Sequence, residues 1–176
     1  MDTFRCVTCG AEHSLPDIGL SFDRPDAYFR ILPDKRARRT WNDDHFCVIW
    51  ETDRSPRRHF LRALLPIPIR GEKQVYCWGV WSEVAESAYA HAFNTWSHAR
   101  RARTPPFPGQ LASALPESEP TLGLAGVVQL SAPGEIPRFT FAGDVDHAIA
   151  RQQREGVLRE EAIAWASRAI HWADRS

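Results

Sequence analysis

Cys6-Val7-Thr8-Cys9-Gly10, with His13 just beyond, is the part of this chain whose residue types and spacing come closest to specifying chemistry. Two thiolates two residues apart on a tight turn can grip one soft cation, zinc above all. A glycine directly after the second cysteine lets the backbone turn back with its amides toward the sulfurs. Tetrahedral zinc needs four donors, so the pair is half a site. His13 is close enough in sequence to fold over the knuckle. Cys47 is the distant thiol preceded by polar residues, Asn42-Asp43-Asp44-His45, and ranks ahead of His13. The competing reading is that a cysteine on a strand is a small core hydrophobe and a histidine near a turn faces water. Cys77, between Tyr76 and Trp78, reads as core. The expected metal set is therefore Cys6, Cys9, Cys47 and His13, holding a structural Zn2+. Sulfur-rich closed sets are structural, whereas a catalytic zinc keeps a position for water and relies on histidine and carboxylate donors. Redox chemistry by Cys6 and Cys9 is the obvious competitor. A thioredoxin-like pair, however, follows a strand and opens a helix, and Gly10 to Gly19 reads as loop.

Other groups offer less. Asp146-His147 and Glu155 are possible acid–base residues near the C-terminus, and His91 and His98 lie two turns apart on an expected helix, on the face opposite most aromatics, where they read as solvated. Gly-x-Ser-x-Gly, phosphate-cradling loops and His-Glu-x-x-His are absent from the sequence. Trp78 and Trp81, in Trp78-Gly79-Val80-Trp81, read as core and edge positions on a strand.

The elements that must position these residues follow from composition and period. At 176 residues the chain suits a single domain, 1–176, with a metal-knuckle segment over 1–19, a sheet with a central helix over 20–143 and helices over 144–176. Leu20-Ser21-Phe22 is a short extended candidate, and Asp26 to Leu32 a helical turn. Phe46 to Trp50 has the β-branched and aromatic content of a buried strand. A polar turn over Thr52 to Arg57 then makes a hairpin with the run from Phe60 to Ile69. Pro66 and Pro68 cannot donate to a ladder, so the second half of that run belongs at an edge or bulge. Gln74 to Val84, Leu122 to Leu130 and Arg138 to Phe141 are further strands. Ala85 to about Arg103 has the apolar spacing of an amphipathic helix and a basic end that suits the helix dipole. Asp144 can cap a helix running to Glu155, Gly156 can end it, and Leu158, Ala162, Trp165, Ala166, Ala169 and Trp172 make one face of a closing helix. The expected architecture is α+β: a mostly antiparallel sheet, one central helix, two C-terminal helices and an N-terminal Cys-x-x-Cys turn resembling a zinc knuckle.

Twenty-two basic residues balance 22 acidic ones, so overall charge favours neither nucleic acid nor an anionic membrane as partner. The bases are nearly all arginine, clustered in Lys35-Arg36-Ala37-Arg38-Arg39, Arg57-Arg58 and Arg100-Arg101-Ala102-Arg103. These clusters read as solvated surface rather than a dedicated anion site. No apolar stretch reaches membrane-spanning length and no secretory hydrophobic region precedes the cysteines, so the expectation is a cytoplasmic protein whose thiols stay reduced.

Read together, the cysteine knuckle with His13, Asp44 to Ile49, Trp78-Gly79-Val80-Trp81-Ser82 and Gln153-Arg154-Glu155-Gly156 resemble a bacterial family known as domain of unknown function 2199, over most of the chain. Arg62 and Asp146-His147 also fit that pattern. Ala148-Ile149 and the stretch from Trp50 to Arg58 depart from it. The resemblance strengthens Cys6, Cys9 and Cys47 as a set and implies no reaction. The leading functional expectation is a zinc-stabilised binding or regulatory module that engages a protein partner through an aromatic and arginine-bearing surface. The alternative is a metal-dependent hydrolase with an open zinc site and His45, Asp44 or His147 as proton carrier. The third is a nucleic-acid-binding protein, which requires Arg36, Arg38, Arg39, Arg57 and Arg58 to converge on one face with the knuckle.

Overall fold

Strand β4 (Phe46–Ile49) is buried at every position, because alternate side chains leave it for two different cores. Phe46 and Val48 enter the main core, while Cys47 and Ile49 enter a smaller one on the opposite face with Phe60, Trp81 and Ala112. The computed structural model describes residues 3–6, 9–14, 19–116 and 119–172. The expected connecting loop therefore lies in part outside the described residues, at 15–18, as does the loop near Leu115 to Pro120, at 117–118. The same holds for the side chains of Ala169 and Trp172 on the closing helix.

A large sheet runs in the order β3 (Thr40–Asn42), β4, β5 (Arg58–Pro68), β6 (Val75–Val84), β7 (Phe107–Leu111), β8 (Ala125–Gln129) and β9 (Arg138–Phe141), each neighbouring pair antiparallel. The α+β class stands and the sheet is mostly antiparallel as expected, but it is not simply an open sheet. β9 returns to β5 through a parallel pairing of Leu64 with Arg138, which closes β5 to β9 into a five-stranded barrel. Length makes the closure possible. β5 has 11 residues, so one of its edges can serve β4 over Arg58 to Leu61 and β9 further on, while the other pairs with β6 throughout.

The two prolines of β5 obey the same geometry. The amides of Arg62 and Leu64 point away from β6, to His45 O and Pro137 O. Pro66 and Pro68 share that parity, so their missing N–H groups cost the β5–β6 ladder nothing. Their carbonyls on that side accept from Gln153 Nε2 at 3.4 Å and from the Val157 amide at 2.9 Å. The expected edge is therefore real on one side and covered by the C-terminal segment. Gly156, at φ +78°, makes the turn that brings Val157 there.

Helices α1 (Asp26–Phe29) and α2 (Pro33–Arg39) precede the large sheet, and α1 covers the smaller core with Ala27 and Tyr28. Helix α3 (Glu86–Asn94) packs Tyr89 and Phe93 edge-on against Phe46. It ends about nine residues earlier than the expected Arg103. Thr95 Oγ1 bonds back to His91 O at 2.7 Å, and Trp96 turns inward to stack on His45, with Arg101 held 4.0 Å from the Trp96 ring centroid. Helices α4 (Ala148–Glu155) and α5 (Arg159–Trp172) close the chain, α5 laying Trp165 against Tyr76 and Trp78. The N-cap of α4 is His147, whose Nδ1 accepts from the Ile149 amide at 3.2 Å, and not the expected Asp144. Leu158, expected on the buried face of the closing helix, is half-exposed just before α5.

Candidate metal centre

A hairpin of two three-residue strands, β1 (Thr3–Arg5) and β2 (Glu12–Ser14), carries the cysteine knuckle. The turn between them is held by its backbone. Gly10 N donates to Cys6 O and Cys6 N donates to Ala11 O, both at 2.9 Å, while Arg5 Nε donates to Gly10 O at 3.1 Å. Gly10 sits at φ +72° with nothing near its absent Cβ, so the glycine is needed for backbone conformation and not for space. The stretch from Gly10 to Gly19, expected as loop, thus contains a strand.

Register then delivers the donors. Phe4 pairs with His13 across the hairpin, and their rings lie 5.9 Å apart. Cys6, two residues on from Phe4, shares its face. Both are buried and belong to the main core, whereas Cys9 is exposed and His13 half-buried. The ligand atoms of Cys6, Cys9 and His13 all lie within 4.8 Å of one another, with Cys9 Sγ 3.4 Å from His13 Nε2. Two thiol sulfurs and one imidazole nitrogen in that space could hold a metal ion.

Cys47 is elsewhere: the structure brings His13, and not Cys47, beside Cys6 and Cys9. It faces the smaller core, on the side of β4 opposite the core that receives Cys6. Its cross-strand neighbours are Asn42 and Phe60, and it is fully buried. Burial pushes its thiol up to about 12, with Arg24 opposing and Asp43 reinforcing the shift. A thiol so held stays protonated at neutral pH, and Cys47 is not in the donor group of Cys6, Cys9 and His13. Cys77, expected in the core, is half-buried on β6 and raised by burial in the same direction, its carbonyl pressed against Gly19. None of the four cysteines is in a disulfide.

The other sequence candidates are dispersed. Asp44 is exposed in the β3–β4 turn, where Asp43 Oδ1 accepts from the His45 and Phe46 amides. His45 stacks on Trp96, and His147 caps α4. Neither histidine nor Asp44 joins the donor group of Cys6, Cys9 and His13. His91 is exposed and bonded to Thr104 Oγ1, and His98 lies beyond the end of α3.

The arginines are mostly engaged within the chain. Arg39 pairs with Asp53, and Arg58 grips Glu83 with two nitrogens at 2.7 and 2.6 Å. Arg36 lies over the Tyr28 ring and Arg57 over Trp50. Sequence reasoning passed over α2 as a bare basic cluster, although Pro33 at its first turn is a start signal. It also passed over the pairing of Ser21 with Gly79, where a Cβ on Gly79 would come within 2.4 Å of Ser21 Oγ.

No helix among the described residues is long and apolar enough to cross a membrane. No curated protein and no solved structure matches the chain. Residues 5–157 match a family described as an uncharacterised protein conserved in bacteria, DUF2199, and this span takes in the cysteine knuckle, the barrel and α4. By that match the chain belongs to the DUF2199 family.

Proposed function

We propose that this chain is a binding module whose N-terminal hairpin is locked in shape by a structural zinc ion held by Cys6, Cys9, His13 and a fourth donor outside this group. The observation that carries the reading is the convergence of those three donor atoms on one another. Usual Zn–S and Zn–N bond lengths place tetrahedral donors about 3.5–3.8 Å apart. The 3.4 Å between Cys9 Sγ and His13 Nε2 is close to that spacing before any metal draws them in. Cys6 supplies the mechanical link, because its side chain is part of the main core while its sulfur belongs to the donor group. Zinc binding would then be folding free energy for a hairpin whose two three-residue strands are too short to persist alone.

The hydrolase alternative has less support. A catalytic metal needs a concave pocket and a proton carrier beside it. Asp44, His45 and His147 stand outside the donor group of Cys6, Cys9 and His13.

Hydrogen exchange tests the reading. Removing metal with a chelator should abolish amide protection at Cys6 and Gly10 while leaving the β5–β6 ladder protected, and added zinc should restore it where magnesium does not. Unchanged protection of the hairpin after chelation would contradict the proposal.

A further inference from the structure

A trough runs along α1 on the outer side of the sheet. It consists of two adjoining cavities of about 230 and 240 Å³ that share Ala27, Arg30 and Arg58 in their walls. The floor is apolar, formed by Ile49, Phe60 and Ala112 of the smaller core. Leu122 rims one end and Leu32 the other, 37% and 58% exposed. Four cations line the trough: Arg30, Lys35, Arg39 and Arg58. Arg39 and Arg58 already hold Asp53 and Glu83. The side chains of Arg30 and Lys35 hold no carboxylate among the described residues. They stand about one and a half helical turns apart in sequence, on either side of the α1–α2 junction.

From this arrangement we infer that the trough docks an extended acidic peptide. Its carboxylates would meet Arg30 and Lys35, and its apolar side chains would cover the Leu32 and Leu122 rims. The inference rests on reading the chain as a binding module, and it adds the face and the partner's chemistry. Charge complementarity selects the occupant. The two cations without carboxylate partners line the same trough as two exposed leucines, so a ligand that offers both negative and apolar groups complements it. A phosphodiester chain fits less well. Asp26, Glu51 and Glu83 also line the walls, and a phosphodiester with a charge at every residue meets more of their repulsion than a peptide whose carboxylates alternate with apolar side chains. The one aromatic residue in the lining, Phe60, is fully buried and gives bases no surface to stack on.

The test is a fluorescence-anisotropy titration of the full chain against a labelled peptide of alternating glutamate and leucine. Comparison probes are the same peptide with serine for leucine, the same peptide with lysine for glutamate, and a short single-stranded DNA. The glutamate–leucine peptide should bind best and weaken with added salt. Arg30→Glu and Lys35→Glu should each weaken it by about fivefold or more, whereas Arg154→Glu on α4 should not. Neither reversed side chain forms an ion pair among the described residues, so circular dichroism of these variants should match the parent. Tighter binding of DNA, equal loss with Arg154→Glu, or no binding of the glutamate–leucine peptide would each overturn the inference. Zinc content measured on the same samples separates the two proposals: peptide binding can fail with zinc retained, and zinc can be absent with peptide bound.

Discussion

The hairpin that carries Cys6, Cys9 and His13 and the smaller core that encloses Cys47 both place cysteine on or beside short strands, in opposite surroundings. In the hairpin, three donors from an eight-residue stretch meet at the edge of the main core, Cys6 buried and Cys9 exposed, held by a glycine turn and a few backbone bonds. In the smaller core, residues from β4, β5, β6 and α1 surround one thiol and remove it from water. The first arrangement sets sulfur beside other donor atoms that could hold a metal ion. The second makes cysteine an apolar side chain. The difference teaches that a cysteine's chemistry here follows from whether its sulfur meets other donors or only the enclosing core.

The largest test of this contrast removes the floor of the smaller core. Phe60→Ala should cost about 3–5 kcal/mol by urea denaturation, since Phe60 is fully buried between Cys47 and Trp81, and should leave metal content per folded chain unchanged. Loss of metal in that variant would mean the two regions are coupled.

Thiol labelling sharpens the comparison. After chelation at mildly alkaline pH, iodoacetamide should modify exposed Cys9 in the folded protein. Cys47, held near 12 by burial, should react only when denaturant unfolds the sheet. Equal labelling of both in the native state would contradict the burial argument.

The legibility of these regions in sequence was uneven, for physical reasons. The apolar runs of β4, β5 and β6 declare themselves because strands buried between two layers need apolar residues at nearly every position. β7 does not, because Pro106, Pro108 and Gly109 read as loop. Pro108 is tolerated there because the β6–β7 pairing stops at Gly109, one residue short of it. Barrel closure rests on the pairing of Leu64 with Arg138, 74 residues apart, which no local pattern announces. Within the donor group, Cys6 and Cys9 were legible from spacing. The place of His13 depends on its register with Phe4 in strands too short to show a period, and the exclusion of Cys47 depends on which face of β4 it occupies.

The smallest expected effect is acidic. Burial beside Tyr89 holds His59 below its ordinary 6.5, with Arg57 adding to the shift and Glu86 and Glu83 opposing it. The fold keeps this imidazole neutral, while the unfolded chain takes up a proton as pH falls below 6.5. Its contribution is therefore fully present above that value and is lost as pH drops toward the folded value. Urea denaturation at neutral and mildly acidic pH should show a smaller loss for His59→Gln than for the parent. An equal loss would place the acid sensitivity elsewhere.

The claim beneath all of this is that Cys6, Cys9 and His13 form one metal site and that Cys47 is no part of it. Elemental analysis of protein purified without added metal, on the parent and on Cys6→Ser, Cys9→Ser, His13→Ala and Cys47→Ala, tests it directly. The account predicts stoichiometric zinc in the parent and in Cys47→Ala, and its loss in the other three. Zinc retained in Cys9→Ser and His13→Ala, or lost from folded Cys47→Ala, would contradict it.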